Sequence, residues 1–116
     1  QWESNTISLL PTAAKALTLA DRDAVLSFAR IENHYFKHAG FMEEGQLLRD
    51  AHRLADIPTI IIQGRYDCCT PAKTAWELSK AMPHAAFHLI PDAGHAFNEP
   101  GILAALLDAT DKFATL

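Results

Sequence analysis

The sequence predicts an α/β fold in which parallel strands alternate with helices. Two short apolar runs with strand character, residues 59–63 and 86–90, are separated by a stretch with helical spacing, residues 72–82. The Ile-Ile-Ile run at 60–62 is typical of a strand buried on both faces of a parallel sheet. Strand, helix, strand forms a βαβ unit, whose two strands run parallel with a right-handed crossover.

The first part of the chain, residues 1–56, is predicted to be helical. The expected helices cover residues 11–17, 24–38 and 45–54. Asp21 or Asp23 is a suitable N-cap for the second of these helices, and Gly40 follows its predicted end. Residues 57–116 then form a βαβα portion, so the chain has two parts of different character.

Within residues 57–116, local signals mark where each helix begins. Thr70 and Pro71 stand before the first helix of this part, with Thr70 as the expected N-cap. A loop at 92–95 follows the second strand, and a last helix is predicted over 99–116. Two strands alone make a poor sheet, so we expect the rest of the sheet to lie upstream of this chain.

Composition excludes several classes of protein. Hydrophobic residues make up 49% of the 116 residues and charged residues 21%, which excludes a disordered tail. The net charge is −4 without a basic run, so no nucleic-acid partner is predicted. The longest apolar run is far too short to span a bilayer, so no membrane contact is expected.

The ends and the cysteines of the chain suggest where it comes from. The chain starts at Gln1 without an initiator Met or a signal peptide, so we expect a fragment, a processed product or an excised domain of a longer protein. Cys68 and Cys69 are adjacent, which cannot link distant parts of a fold and fits a reducing compartment. Two thiols without further well-spaced ligands do not make a structural zinc site, so no metal or other cofactor is predicted.

Two titratable residues follow the predicted strands. Asp67 comes after the first strand and His95 after the second. Because parallel strands bring their carboxyl ends to one edge of the sheet, both residues are expected at that edge. A carboxylate near a histidine fixes the imidazole tautomer and stabilises the imidazolium, so the pair is two thirds of a Ser-His-Asp triad.

The third member of such a triad is not found in this sequence. None of the four serines has glycine at both the −2 and +2 positions, so the chain has no Gly-x-Ser-x-Gly elbow: Ser4, Ser8, Ser27 and Ser79. In hydrolases of this type the order along the chain is Ser, Asp, His, which places the nucleophile upstream. We therefore expect that the chain alone does not complete acyl transfer.

At these residues the sequence resembles the proline iminopeptidases, or prolyl aminopeptidases. The segments that carry the resemblance are Ala29–Phe36 (ARIENHYF), Gly64–Asp67 (GRYD), Cys69–Pro71 (CTP), Ala75-Trp76, Pro91–His95 (PDAGH) and Glu99–Ile102 (EPGI). Their combination is specific, and the resemblance extends from Trp2-Glu3 to the final helix.

This resemblance implies an α/β-hydrolase serine peptidase that releases N-terminal proline from peptides and needs no metal. It implies that the chain is the C-terminal part of that fold, preceded by the last helices of a cap domain. Asp67 and His95 correspond to the triad Asp and His. Glu32 matches a cap glutamate that binds the free amino group of the substrate, and Glu3 matches another.

Other residues have simpler interpretations. His34 and His38 are four residues apart on one predicted helix, but no third metal ligand is evident. Trp76 and Phe97 are expected to be packing residues, although Phe97 is close enough to His95 in the sequence to border a substrate pocket. Cys69 or its neighbour Cys68 could make the enzyme sensitive to thiol reagents if exposed, or could be a small buried residue.

Two alternatives remain open from the sequence. The parent protein could be another α/β-hydrolase, such as an epoxide hydrolase or an esterase, or the chain could be a non-catalytic interaction domain. An apolar strand with unpaired edges also invites association, so the isolated chain is expected to self-associate.

Overall fold

The computed structural model describes residues 6–10 and 21–115. The chain divides into two compact units, one formed by residues 15–47 and the other by residues 1–14 together with 48–116. The helix predicted over residues 11–17 lies outside the described residues. The predicted division of function between a cap portion and a catalytic portion at residue 57 stays a prediction.

One long helix, α1 (Asp21–Lys37), dominates the smaller unit. The helix predicted over residues 24–38 is thus confirmed, and helical structure is already present at Asp21. Gly40 follows it with a φ of 63°, in the left-handed region that glycine adopts without steric cost. The neighbours of Gly40 also have positive φ, so the chain turns sharply through a short 3-10 turn, Ala39–Phe41.

The third predicted helix is present but changes type halfway along. An α-helix, α2 (Gln46–Asp50), continues into a 3-10 turn, Ala51–Leu54. In this turn the Ala55 N–H donates to the His52 carbonyl, three residues back, at 3.1 Å. The prediction of a single α-helix over 45–54 was therefore wrong for its last turn, Ala51–Leu54. There the hydrogen bonds join residues three apart, as in a 3-10 helix, instead of four apart.

The predicted βαβ unit is confirmed in the larger unit. Strands β1 (Ile60–Gly64) and β2 (Ala86–Ile90) pair in parallel, with Ile60 opposite Ala86 and Gly64 opposite Ile90. Helix α3 (Ala72–Ala81) connects them, and helix α4 (Pro100–Phe113) follows β2. Both helices contact both strands, which keeps the two strands in fixed register.

The core of the described residues is small. The buried apolar side chains are Ala51, Met82, Ala93, Ala96, Ile102 and Ala109. The isoleucines of β1 were expected to be buried on both faces, but they are only half-buried, because β2 is the one strand that pairs with β1 among the described residues. The predicted self-association of the isolated chain stays a prediction.

Two aromatic residues do not pack as the sequence suggested. Trp76 is 51% exposed and Phe97 is 71% exposed, so neither is a core residue within the described chain. Trp76 lies instead beneath the ammonium group of Lys80, one helical turn further along α3, with 5.3 Å between Nζ and the ring centroid.

Within residues 6–10 and 21–115, no helix is long and apolar enough to cross a bilayer.

The end of β1 and the loop after β2 approach each other at a glycine. A Cβ atom added to Gly64 would clash with the carbonyl oxygen of Gly94 and would lie 2.8 Å from that of Ala93. The contact is backbone against backbone, and it is held by hydrogen bonds from Arg65 N to Ile90 O and from Tyr66 N to Ala93 O, both 2.9 Å. The absence of a side chain at Gly64 is therefore what allows the two loops to meet.

We predict that Gly64→Ala destabilises the fold by about 3 kcal/mol, because backbone atoms cannot move aside as a flexible side chain can. The measurement is urea unfolding of the full-length protein that contains this chain. Gly45→Ala is the control: no atom lies within 4 Å of its added carbon, and its φ of 70° costs only about 1 kcal/mol. Equal losses of stability in the two variants would contradict the close approach.

Candidate active site

Two loops meet at the carboxyl edge of the parallel sheet. Asp67 lies three residues beyond the end of β1, and His95 lies five residues beyond the end of β2. The last register pair, Gly64 with Ile90, brings both loops to the same edge, as the sequence predicted. The Nδ1 atom of His95 lies 2.9 Å from Oδ2 of Asp67, so the two predicted residues are in direct contact.

The Asp67 carboxylate is buried and fully hydrogen-bonded. Its side chain is only 4% exposed. Oδ1 accepts hydrogen bonds from the backbone N–H groups of Cys69 at 2.9 Å and Thr70 at 2.8 Å. Oδ2 accepts from the Thr70 hydroxyl at 2.8 Å and from Nε2 of Gln63 at 3.0 Å, in addition to His95. The loop after β1 thus folds around this one carboxylate.

These hydrogen bonds decide the charge of Asp67. Burial on its own raises the pKa of a carboxyl group, because it disfavours the charged form. The hydrogen bonds from the Thr70 backbone, from His95, from the Thr70 hydroxyl and from Gln63 outweigh burial, and they lower the pKa of Asp67 from 3.8 to about 2. Asp67 is therefore an anion at neutral pH, as an orienting partner for a histidine must be.

The His95 side chain is far more exposed to solvent than that of Asp67. It is 41% exposed, so the imidazole reaches from a buried carboxylate towards solvent. The hydrogen bond to Asp67 fixes the tautomer with the proton on Nδ1 and leaves Nε2 free to accept a proton. The backbone N–H of His95 donates to the carbonyl of Ile7 at 2.8 Å, which ties the histidine loop to the segment of residues 6–10.

A second carboxylate, that of Glu99, organises the histidine loop. Its Oε1 accepts hydrogen bonds from the N–H of Gly94 at 2.9 Å and of Leu9 at 3.3 Å. Glu99 thereby ties the residue before His95 to the segment that also supplies the Ile7 carbonyl. The sequence analysis used Glu99 in the segment that resembles the family and as the start of the last helix, where it is indeed the N-cap residue of α4.

The structure corrects the expected role of Thr70. It was predicted to cap the following helix, but the N-cap residue of α3 is Pro71, without a side-chain cap hydrogen bond. The Thr70 hydroxyl donates instead to Asp67, and its oxygen lies 3.2 Å from Nδ1 of His95. Asp67 is a residue type whose side chain accepts from backbone N–H groups in turns, so the turn itself had a sequence signal, but the role of the Thr70 hydroxyl had none. Gln63, inside β1, gave no such signal.

Both cysteines of the loop are exposed free thiols. The Cys68 Sγ donates to the Tyr66 carbonyl at 3.5 Å. The Cys69 Sγ is different, because it forms a group with a carboxylate oxygen of Asp67 and a ring nitrogen of His95 in which all ligand atoms lie within 4.8 Å of one another.

The structure describes only one of the two candidate substrate-binding glutamates. Glu32 is half-buried on α1, in the unit of residues 15–47, whereas Asp67 and His95 belong to the other unit. Glu3 lies outside the described residues. His34 and His38, also on or next to α1, have ring centroids 4.9 Å apart, but they join no group of three metal-ligating side chains among the described residues.

Comparison with known proteins identifies the relatives of this chain. Residues 3–101 match the α/β hydrolase fold family. The chain is 55% identical to the proline iminopeptidase of Xanthomonas citri over 114 residues, which are 97% of this chain and 36% of that protein. It is 48% identical to a probable proline iminopeptidase of Leptolyngbya boryana over 97% of this chain and 35% of that protein.

A plant relative shows the same pattern. The proline iminopeptidase of Arabidopsis thaliana is 44% identical over 117 residues, which cover 100% of this chain and 31% of that protein. The chain therefore spans about a third of the length of the curated relatives it matches.

We predict that Asp67 makes the stability of the protein depend on acid pH. A carboxyl with a pKa of 3.8 when unfolded and about 2 when folded stabilises the fold by about 2 kcal/mol above pH 4. That stability is lost as the pH falls from about 4 towards 2. Urea unfolding of the full-length protein in metal-free buffer at pH 5, 3 and 2.5 measures it. In Asp67→Asn this part of the pH dependence should vanish, and an unchanged dependence would contradict the assignment.

Proposed function

This chain belongs to the α/β-hydrolase fold family, and on that premise we propose that the protein containing it is a prolyl aminopeptidase, releasing N-terminal proline from peptides. The single observation that supports this most is the contact of the Asp67 carboxylate with His95 Nδ1 at the carboxyl edge of the sheet. The names of the curated relatives support the choice of substrate.

In the proposed reaction His95 is the general base and then the general acid. A serine outside this chain attacks the carbonyl of the N-terminal prolyl residue, and Nε2 of His95 takes the hydroxyl proton. The imidazolium, stabilised by Asp67, then gives that proton to the leaving amine as the peptide bond breaks. Water attacks the acyl-enzyme with His95 again as base, and proline leaves as the serine regains its proton.

The nucleophile is assigned to a serine outside the chain because no serine here lies in a Gly-x-Ser-x-Gly elbow. It follows from this proposal that residues 1–116 alone do not hydrolyse prolyl peptides. The free, exposed thiols of Cys68 and Cys69 suit a reducing compartment, which supports a cytoplasmic location as part of the same proposal.

We assign recognition of the substrate's free imino group to Glu32 and Glu3. An exopeptidase must bind the positively charged chain end, and a carboxylate does so through charge-assisted hydrogen bonds. Glu32 is half-buried, so part of its surroundings is already desolvated, which strengthens such a bond. For Glu3 the support is the sequence resemblance.

The first test compares cleavage of a prolyl amide and an alanyl amide by the full-length protein. We expect a strong preference for the prolyl amide. His95→Ala and Asp67→Asn should each lower kcat/KM by about 10³-fold or more, because each removes a proton-transfer group or fixes the wrong tautomer. Activity that ignores the N-terminal residue, or survives both substitutions, would overturn the proposal.

A second test concerns Glu32. Replacement by Gln removes the charge but keeps the shape, so we expect KM for the prolyl amide to rise by about 10- to 100-fold with a smaller change in kcat. Glu44→Gln is the matched control, since Glu44 is an exposed carboxylate in the same unit, and its kinetics should match the wild type. Equal KM values in all three proteins would remove Glu32 from the binding site.

A further inference from the structure

The thiol of Cys69 is a third potential ligand beside the Asp67–His95 pair. Its Sγ, a carboxylate oxygen of Asp67 and a ring nitrogen of His95 all lie within 4.8 Å of one another. Thiolate, imidazole and carboxylate are the three ligand types that bind Zn²⁺ in proteins. The proposed hydrolysis does not use this sulfur atom, which belongs to an exposed free cysteine.

The ligand atoms, all within 4.8 Å of one another, need to shift by about 1 Å or less to bind one ion. Zinc bonds of about 2.0–2.3 Å in a tetrahedral arrangement place ligand atoms roughly 3.2–3.8 Å apart. His95 Nδ1 and Asp67 Oδ2 are 2.9 Å apart in a hydrogen bond and need to separate by less than about 1 Å to admit an ion. The Cys69 backbone is already anchored to the same carboxylate, because its N–H donates to Asp67 Oδ1 at 2.9 Å.

The accessibility of the cluster also fits an ion arriving from solution. His95 and Cys69 are both exposed, and only the Asp67 carboxylate is buried. The other thiol of the loop, that of Cys68, donates to the Tyr66 carbonyl and does not belong to the group. The loop therefore distinguishes two adjacent cysteines, one beside the catalytic pair and one outside it.

We propose that Asp67, Cys69 and His95 form an inhibitory site for Zn²⁺ and similar thiophilic divalent ions. The ion takes the place of the proton between Asp67 and His95, and Cys69 becomes its third protein ligand. Binding releases one proton, from the Cys69 thiol, while the imidazole proton moves from Nδ1 to Nε2 and the ring stays neutral. The fourth position remains open to water.

The consequence for catalysis, which rests on the proposed function, follows from the tautomer. A ring bound to metal through Nδ1 carries its proton on Nε2, so Nε2 can no longer accept the serine proton. Hydrolysis stops without any covalent change, and a chelator that removes the ion restores the Nδ1 tautomer and the activity. Mg²⁺, which prefers oxygen ligands, does not bind the thiolate–imidazole pair.

The binding test uses Co²⁺ as a spectroscopic probe in the full-length protein. Thiolate coordination gives a sulfur-to-cobalt charge-transfer absorption, and we expect this band at one equivalent of Co²⁺, displaced by Zn²⁺. Cys69→Ser should abolish the band, whereas the matched control Cys68→Ser should retain it. A band that is absent from the wild type, or that survives in Cys69→Ser, would overturn the proposal whatever the enzyme's substrate.

The inhibition test measures the Zn²⁺ concentration that halves prolyl amide hydrolysis, each variant being compared with its own metal-free rate. We expect that concentration to rise at least about tenfold in Cys69→Ser and to stay within about twofold of wild type in Cys68→Ser, because only the first loses a ligand. Mg²⁺ should have no effect. Equal sensitivity of the two variants would overturn the inhibitory site. The cobalt band without prolyl hydrolysis would instead refute the proposed function and leave the metal site standing.

Discussion

The candidate site depends on keeping one charged carboxylate in a place that water hardly reaches. Removing the Asp67 carboxylate from solvent costs several kcal/mol unless its oxygens find donors in the protein. Two backbone N–H groups, a hydroxyl, an amide and an imidazole supply those donors. The loop after β1 therefore adopts a conformation that is determined largely by the need to surround this anion with hydrogen-bond donors. The same requirement orients His95, since the imidazole is one of the five donors.

The parallel sheet supplies the frame in which this arrangement is possible. Its register ends with Gly64 opposite Ile90, so the two loops leave the sheet side by side. Close approach of the loops then needs a residue without a side chain, which Gly64 provides against the carbonyl of Gly94. Hydrogen bonds from Arg65 to the last residue of β2 and from Tyr66 to the second loop complete the contact. The backbone geometry thereby holds the Asp67 carboxylate on one loop and the His95 imidazole on the other at hydrogen-bond distance.

The sequence predicted the features that depend on local pattern. The β-branched run predicted β1, and the helical spacing predicted α3. The positions of Asp67 and His95 after two parallel strands predicted that both lie at one edge of the sheet, whereas their direct contact is shown by the structure. The features that the sequence did not predict depend on tertiary contacts. Thr70 has the residue type of a helix cap, and only the position of the carboxylate shows that its hydroxyl is used elsewhere. Trp76 is apolar enough for a core, but its exposure depends on which elements cover α3. Long-range partners such as Leu9 for Glu99 leave no periodic signal.

The hydrogen bonds from Glu99 to Leu9 and from His95 to Ile7 also bear on the order in which the site assembles. Leu9 and Glu99 are separated by 90 residues, so their contact closes a loop that includes the sheet and most of both units. The entropy of closing a long loop is lost before its contacts stabilise anything, so such contacts form late in folding. During synthesis, Ile7 and Leu9 can contact the histidine loop only after the residues up to Glu99 have emerged. The contacts of Ile7 and Leu9 with the histidine loop are thus expected to form after the local contacts of the sheet and its helices.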